Sequence, residues 1–334
     1  MRDVVELVRS MPKVELHVHL EGTLEPELRL RLAERNGIPQ PHRTVDEVRA
    51  GYRFHDLPSF LTGYYEGVQV LRTEPDFYDL ASGYLRRAAE EGVRYAEVFF
   101  DPQAHTGRGV PFDVVLRGIR RAQLDAARRH GLHSQLILCL LRDRGAEFAM
   151  ATLLESLPYR DWIVGIGLDS DEHGHPPREF AAVFRRARQE GYLLTAHCDV
   201  GQQDAVEHIR QCLHEIGVDR IDHGSDVLAD PELVAEARRR GTGFTCCPVS
   251  NSCVAGDSRA GELGRMLAAD LAVTVGSDDP AYFGAYLSDN LLALQAELEL
   301  TPADLVRLQL NAVRASWAPP SIKERLTTAL RAEC

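Results

Sequence analysis

The sequence predicts an α/β fold, an eight-stranded (β/α)8 TIM barrel. Over 334 residues, eight short β-forming runs alternate with longer helical segments. Several runs are apolar nearly throughout, Leu136–Leu141 for example, which is typical of parallel strands covered by helices on both faces. A doubly wound open sheet is the alternative, but no G-x-G-x-x-G follows the first run. Because barrels of this class often reach about 250 residues or more, residues 1–334 are expected to form one domain.

The eight predicted strands share β-forming or apolar composition and are bounded by turn or helix signals. They are Lys13–Leu20, Val93–Asp101, His133–Arg142, Trp162–Asp169, Leu193–Cys198, Arg220–Gly224, Gly243–Asn251 and Ala272–Asp279.

Helical patterns separate these strands. After the first strand, Leu24, Leu28 and Leu32 recur every four residues, and Asn36-Gly37 supplies a stop signal. Later helices with similar signals are predicted at Pro111–His130, Pro177–Glu190, Gln202–Ile216 and Pro231–Arg240. The last segment, Ile322–Ala332, is amphipathic and is expected to pack on the barrel or on a partner subunit.

The stretch 44–76 does not fit the alternation of strands and helices. It is rich in aromatic residues and is predicted to be a helical insertion that covers the barrel mouth as a lid. The alternative interpretation is that these aromatic side chains form local core. They are Tyr52, Phe54, Phe60, Tyr64 and Tyr65.

Charge and composition exclude several classes of protein. The chain has 38 Lys and Arg against 50 Asp and Glu, a net charge of −12, which argues against a nucleic-acid surface. No apolar run approaches the ~18 residues of a membrane span, and the first residues lack the apolar core of a signal peptide. The seven cysteines form no C-x-x-C pair. We therefore expect reduced thiols and a cytoplasmic location. We also expect a small-molecule substrate, and a homo-oligomer is compatible with this composition.

Histidine and aspartate recur at the predicted strand ends, where barrel enzymes place their catalytic residues. His17 and His19 are two apart on a strand and so point to one face. His197, His223 and Asp278 end later strands. Imidazole and carboxylate are ligands that Zn²⁺ accepts while keeping a position open to water. The pattern therefore predicts a metal site at the barrel mouth.

Longer motifs around these residues resemble the adenosine/adenine deaminase family of the amidohydrolase superfamily. The matching segments are Glu15–Thr23, Arg220–Gly224, Cys247–Asn251 and Ser277–Gly284. Asp101–Thr106 and Gly165–Ser170 look more like the adenine deaminase branch than the adenosine branch. The match runs in order over nearly the whole chain.

The resemblance implies a zinc-dependent hydrolytic deaminase of an adenine-like or modified aminated N-heterocycle. His17, His19, His197 and Asp278 would bind one Zn²⁺ per chain, with Fe²⁺ or Mn²⁺ as alternatives. His223 would orient and help deprotonate the metal-bound water, with Asp278 also part of the catalytic set. Asp279 would hydrogen-bond a purine ring nitrogen. Gly167, Asp169 and Glu172 are the other predicted substrate-binding residues.

The match breaks at one position. The family's fifth-strand motif is His-Ala-Gly-Glu, and its Glu protonates the ring nitrogen; here the run is His197-Cys198-Asp199-Val200. Valine carries no proton, and general acid–base help is worth roughly 10²–10⁴ in rate. Asp199 is the predicted replacement catalytic residue. The run resembles the His-Cys-Asp-Glu run of cytosine deaminases, although the final Glu of that run is missing here too. Glu172 or Glu21 are alternatives.

Three further interpretations of this departure remain open. The substrate could need no proton at that nitrogen; unless Asp199 supplies one, plain adenine and adenosine are expected to be poor substrates. The chain could instead hydrolyse another C–N bond, such as a ring amide or amidine. It could also be a ligand-binding homologue with little turnover.

Overall fold

The computed structural model describes residues 3–198 and 201–333 and centres on a parallel sheet in which eight strands neighbour one another in chain order. The strands are β1 (Lys13–Glu15), β2 (Val93–Phe100), β3 (His133–Leu141), β4 (Ile163–Asp169), β5 (Leu193–Cys198), β6 (Arg220–His223), β7 (Gly243–Cys246) and β8 (Ala272–Val275). The last strand returns to the first just beyond its end, where Val18 pairs with Asp278. The amides of Ser277 and Asp278 both donate to the carbonyl of His17, at 3.1 and 3.0 Å. The predicted (β/α)8 barrel is confirmed.

Helices surround this barrel and connect its strands. They are α1 (Val4–Ser10), α2 (Pro26–Asn36), α3 (Val45–Ala50), α4 (Leu57–Gly67), α5 (Glu74–Glu90), α6 (Pro102–Thr106), α7 (Phe112–His130), α8 (Ala146–Ser156), α9 (Ala181–Gln189), α10 (Ala205–Gln211), α11 (Pro231–Arg240), α12 (Pro248–Ala255), α13 (Ala260–Ala268), α14 (Pro280–Phe283), α15 (Leu287–Leu298), α16 (Pro302–Ala315) and α17 (Pro320–Arg331). Short 3₁₀ turns include Glu21–Thr23, and Cys212–Ile216 is a π-helical turn after α10. None of the described helices has the length and apolar character needed to span a bilayer.

Several helix ends follow the predicted signals. Helix α2 ends at Gly37 and α7 at Gly131, both with left-handed backbone (φ 62° and 65°), which glycine adopts without a steric penalty. Helix α11 spans the predicted Pro231–Arg240. The C-terminal helix α17 contacts α16 and buries Leu326 and Leu330.

Three strands, β1, β7 and β8, end four or five residues earlier than the sequence predicted, and β2, β3 and β6 end one residue earlier. The prediction for β7 continued to Asn251, but the strand ends at Cys246 and α12 begins at Pro248. Proline suits the first turn of a helix because its missing N–H has no partner there anyway. Both β1 and β8 also stop short, and residues 17–19 and 277–279 lie beyond the regular pairing, in the segments that carry the site.

The end of the barrel opposite the site is closed by a buried ion pair and an indole. Arg220 on β6 pairs with Glu97 on β2 and lies 3.9 Å from the ring centroid of Trp317. The hydroxyl of Tyr95 donates to Glu97 at 2.9 Å, and the Trp317 amide donates to the same oxygen. Inside the barrel, Phe99, Ile137 and Cys139 form a separate apolar cluster against Trp317. These contacts close the end of the barrel opposite the site.

The segment 44–76 contains α3, α4 and the start of α5, each of which begins with a capping box. Aromatic rings from α4 pack on the turn after β8. Phe60 lies 5.0 Å from Phe283 and Tyr64 lies 5.7 Å from Tyr282, between ring centroids. This packing holds α4 over the ends of β2, β4 and β8; that the segment acts as a lid stays a prediction.

Candidate active site

Four histidines and one aspartate meet at the carboxyl end of the barrel. His17 and His19 follow β1, His197 lies on β5, His223 ends β6, and Asp278 follows β8. All five side chains are buried. The closure of β8 onto β1 places Asp278 beside the histidine pair, since the amide of His19 donates to the carbonyl of Asp278 at 2.9 Å.

Short distances link potential ligand atoms of four of these residues, and overlapping sets of three lie close enough to hold a metal ion: His17 with His197 and His223, and Asp278 with His17 and Cys247 or with His19 and Asp279. Nε2 of His17 and Nε2 of His19 each lie 3.4 Å from Oδ1 of Asp278, and the Nε2 atoms of His19 and His197 are 3.2 Å apart. Zn²⁺ binds such atoms at about 2.0–2.1 Å in tetrahedral geometry, which sets them about 3.3–3.4 Å apart. Nε2 of His17 is buried and has no hydrogen-bond partner among the described residues. The donor set therefore fits a tetrahedral divalent metal.

The opposite ring nitrogens are already engaged. Nδ1 of His17 donates to the carbonyl of Thr245 at 3.0 Å, and Nδ1 of His197 donates to the carbonyl of Leu168 at 3.1 Å. A proton held at Nδ1 leaves the lone pair on Nε2 for a metal. Asp222 lies beneath both rings and accepts from the hydroxyls of Thr195 and Thr245, each at 2.7 Å.

Metal binding requires neutral imidazole and ionised carboxylate. Burial lowers the pKa of His19 and of His223 to about 4 and holds the pKa of His197 well below its usual value. For His17, burial is outweighed by Asp278 and Asp222, which raise its pKa. Burial alone would raise the pKa of Asp278, but His17 and the other histidines outweigh it and hold that pKa well below its usual range.

His223 and Asp278 both have left-handed backbone, with φ of 59° and 63°. Nε2 of His223 is 3.6 Å from Oδ2 of Asp278, the carboxylate oxygen that does not face His17 and His19. Non-glycine residues in this region cost about 1–3 kcal/mol each and cluster at functional sites. The geometry places His223 beside Asp278, and its role as a base stays a prediction.

A cavity of about 320 Å³ opens above these residues. Its floor is polar, with His19, His197, His223 and Asp278 exposed to it. Its roof is apolar and comes mainly from α4, α12 and the turn after β8; the residues are Leu57, Pro58, Phe60, Leu61, Val254 and Phe283. No lysine or arginine lines it within the described part of the chain. The cavity therefore suits a flat, uncharged or cationic ring.

Carboxyl groups form one wall of this cavity. Asp101 at the end of β2, Asp169 at the end of β4 and Asp279 after β8 all line it. Burial raises the pKa of Asp101 to about 8, and raises the pKa values of Asp169 and Asp279 well above the usual range for aspartate. These groups can therefore hold protons at neutral pH and donate as well as accept hydrogen bonds.

Two predicted substrate-binding residues, Asp169 and Asp279, thus line the cavity, but the structure does not support the other two. Gly167 faces the barrel interior, where a Cβ would lie 2.6 Å from Sγ of Cys139, and it does not line the cavity. Glu172 is fully buried, 2.5 Å from Nδ1 of His208 and 3.4 Å from Nη1 of Arg142. Its carboxylate is held behind the site because a buried charge needs such partners.

Glu21, the other alternative proton donor, also lies outside the cavity lining. Its Oε1 accepts from Nε2 of His105 at 2.8 Å and from the amide of Asp101 at 3.2 Å. Asp199 and Val200 fall outside the described residues, so the role predicted for Asp199 stays a prediction.

Several cavity residues carry no role in the sequence-based prediction, among them Tyr64, Tyr65, Asp101 and Ser170. The hydroxyl of Tyr64 on α4 donates to Oδ2 of Asp101 at 3.2 Å. The hydroxyl of Tyr65 is hydrogen-bonded to the hydroxyl of Ser170 at 2.9 Å. Ser170 has left-handed backbone, with φ of 73°. The signal for Asp101 was its position at the end of a buried strand; an isolated serine offers no such signal.

The chain is similar to known deaminases and amidohydrolases over nearly its whole length. The profile of the adenosine deaminase family matches residues 12–333. An adenine deaminase of Acinetobacter baylyi is 46% identical over 321 residues, covering 96% of each chain. The crystal structure of an adenine deaminase from Arthrobacter aurescens superposes with a TM-score of 0.92 at 40% identity, covering 97% of this chain and 99% of that one. An amidohydrolase from Burkholderia ambifaria, solved with bound zinc, superposes with a TM-score of 0.90 at 27% identity, covering 100% and 93%.

Proposed function

The chain belongs to the adenosine deaminase family, whose members are metal-dependent hydrolases of C–N bonds, and on that premise we propose that it deaminates a free adenine-type base. The observation that carries the proposal is the series of short distances that links ligand atoms of His17, Asp278, His19 and His197, 3.4, 3.4 and 3.2 Å in turn, at the base of a cavity without cationic residues in its described lining. We propose one Zn²⁺ per chain, bound by His17, His19, His197 and Asp278. The zinc bound in the similar amidohydrolase from Burkholderia ambifaria supports this choice of metal.

A metal at this position supplies Lewis acidity, which lowers the pKa of a bound water toward about 7. His223, neutral because of its burial, accepts the proton of the attacking water as its oxygen adds to the ring carbon that bears the amine. Asp279 orients the ring by a hydrogen bond to a ring nitrogen. The C–N bond to the amine then breaks, and ammonia leaves with the transferred proton.

The cavity lining supports a base or other phosphate-free substrate. Phosphate recognition relies on arginine, lysine or helix N-termini, and no cationic side chain lines the described cavity. Four aspartates from the strand ends line it instead, and none of them supplies the positive charge that a phosphate group needs. Adenine and modified adenines are therefore the proposed substrate class, consistent with the adenine deaminase relatives.

The proton for the ring nitrogen needs a donor other than Val200. Glu172 and Glu21 are bound to other buried groups, so neither is placed to provide it. We keep Asp199 as the proposed donor.

Release of the leaving amine by metal-reconstituted protein tests the proposal, measured as ammonia from adenine, adenosine and AMP and as methylamine from N6-methyladenine. We expect turnover of adenine or of the N6-modified adenine and none of AMP. AMP turnover, or no amine released from any of these compounds, would contradict it. Asp199→Asn should abolish the activity if Asp199 is the donor, and Val200→Glu should then raise activity on adenine. Fast adenine turnover that survives Asp199→Asn would refute the role of Asp199.

A further inference from the structure

Of the three histidines proposed as metal ligands, His19 differs in how its ring is oriented. Nδ1 of His17 and Nδ1 of His197 each donate to a backbone carbonyl, at 3.0 and 3.1 Å. Nδ1 of His19 instead faces a side chain, the carboxyl group of Asp169, with Oδ2 at 3.5 Å. An acceptor at this nitrogen keeps its proton on Nδ1 and leaves Nε2 for the metal. The orientation of His19 therefore depends on a group that a substitution can remove.

Asp169 lies beside a second carboxyl group, that of Asp101. One ligand atom each of His19, Asp101 and Asp169 lies within 4.8 Å of the other two, and all three side chains are buried. A shift of Asp101 would therefore change the space in which the Asp169 carboxyl is held against His19.

The second carboxyl reaches the helix that roofs the cavity. Oδ2 of Asp101 accepts from the hydroxyl of Tyr64 at 3.2 Å, and its backbone amide donates to Glu21 at 3.2 Å. Tyr64 is buried on α4, in the middle of the 44–76 insertion. A continuous series of contacts therefore runs from α4 through two strand ends to His19.

We propose that Tyr64, Asp101 and Asp169 are positioning residues that orient His19 and couple the seating of α4 to the affinity of the metal site. The inference rests on the proposed metal-dependent function. If α4 moves away from the barrel, Asp101 loses the Tyr64 hydroxyl, the carboxyl pair is freed, and His19 loses its fixed orientation. The metal site is then complete only when the roof is in place.

Cobalt(II) affinity, measured by chelator competition, and the visible absorption of the cobalt protein test this without any substrate. Asp169→Ala removes the acceptor and should weaken cobalt binding about 10–100-fold, the usual cost of losing such a partner. Asp169→Asn keeps an acceptor oxygen and should recover part of that loss. Tyr64→Phe should weaken binding less and change the cobalt spectrum, and its effect should disappear in the Asp169→Ala background.

Tyr65→Phe is the matched control, because it removes a neighbouring hydroxyl on the same helix whose partner is Ser170. Cobalt affinity and spectrum should be unchanged in this variant. The proposal is overturned if Tyr64→Phe matches the wild type in both, or if Tyr65→Phe produces an equal change. Tyr64→Phe removes one hydroxyl, so the test stands even if Asp169→Ala does not fold. A wild type that binds cobalt but releases neither ammonia nor methylamine would refute the proposed function and leave this inference standing.

Discussion

Gly22→Ala should impair catalysis by displacing Asp279 without altering any functional group. Gly22 lies in the 3₁₀ turn after His19, directly against Asp279. A Cβ there would be 2.0 Å from Oδ1 and 2.7 Å from Cα of Asp279, whereas real Cβ contacts stay beyond 3.0 Å. The carboxylate would have to move by about 1 Å and the backbone by about 0.3 Å, the differences from that limit. Since Cα itself is in the way, rotation of the side chain does not relieve the overlap.

Two magnitudes follow from this displacement. A misplacement of about 1 Å in a catalytic site can lower the rate about 10²-fold. Overpacking typically costs about 1–3 kcal/mol of unfolding free energy. We therefore expect kcat/KM to fall about 100-fold while metal content stays near the wild-type value, because Asp279 is not among the proposed ligands.

The assay compares kcat/KM for ammonia release, metal per chain and urea unfolding. Gly83→Ala is the control: Gly83 lies within α5, where a Cβ would meet nothing within 4 Å. That variant should keep full activity and gain up to about 1 kcal/mol, since alanine favours the helix. Wild-type kcat/KM in Gly22→Ala would refute the idea that the position of Asp279 controls the reaction.

Four further outcomes are expected. Asp278→Asn removes a charged ligand and should lower metal content in elemental analysis; unchanged content would exclude Asp278 from the site. His223→Ala should cut turnover about 10²–10⁴-fold at unchanged metal content, and near-normal turnover would reject the base assignment. Glu97→Ala leaves the buried Arg220 without its partner and should lower the unfolding free energy by about 3–5 kcal/mol, measured by urea unfolding. A loss near zero would contradict the view that the Arg220–Glu97 pair stabilises this end of the barrel. Burial lowers the pKa of Lys13 to about 8 from its usual 10.5, so the unfolding free energy of the wild type should rise relative to that of Lys13→Met as pH rises from 8 to 10.5. Urea unfolding of both proteins at pH 7.5 and 10 checks the sign. The same free-energy difference at both pH values would contradict the prediction.

The sequence was most informative where burial dictates composition. The long apolar runs of β2, β3 and β4 are found within one residue of their predicted ends. The predictions ran too far at β1, β7 and β8. At β1 and β7 apolar residues continue into the segments that leave the sheet, whereas β8 is followed by Gly276-Ser277-Asp278-Asp279. Cys246-Cys247-Pro248-Val249 has the composition of a strand, yet Pro248 starts a helix. A strand ends where its hydrogen bonds to the neighbouring strands stop. Amino-acid composition does not mark that residue.

That His17, His19, His197 and Asp278 meet at one end of the barrel could be predicted, because a His-x-His pair at a strand end seldom serves packing alone; that they bind a metal stays a prediction. The sequence could not show in the same way that Asp169 lines the cavity and Gly167 does not. They lie two apart on β4 and share its inward face, but Gly167 sits one layer deeper, against Cys139. Glu172 shows the converse problem, since its partners Arg142 and His208 come from distant parts of the chain. Only the folded structure shows that these partners hold it away from the substrate.

The residues with left-handed backbone at the rim, the carboxyl end of the barrel, also bear on where substitutions can raise thermal stability. Ser170, His223 and Asp278 follow or end the even-numbered strands β4, β6 and β8, and each carries its strain in order to turn a side chain over the barrel axis. Relieving that strain with glycine would raise thermal stability and lower activity together, the usual trade-off at functional sites. Stabilising substitutions are better sought on outer helices such as α5. The rim of the barrel is thus the part least free to vary without loss of turnover.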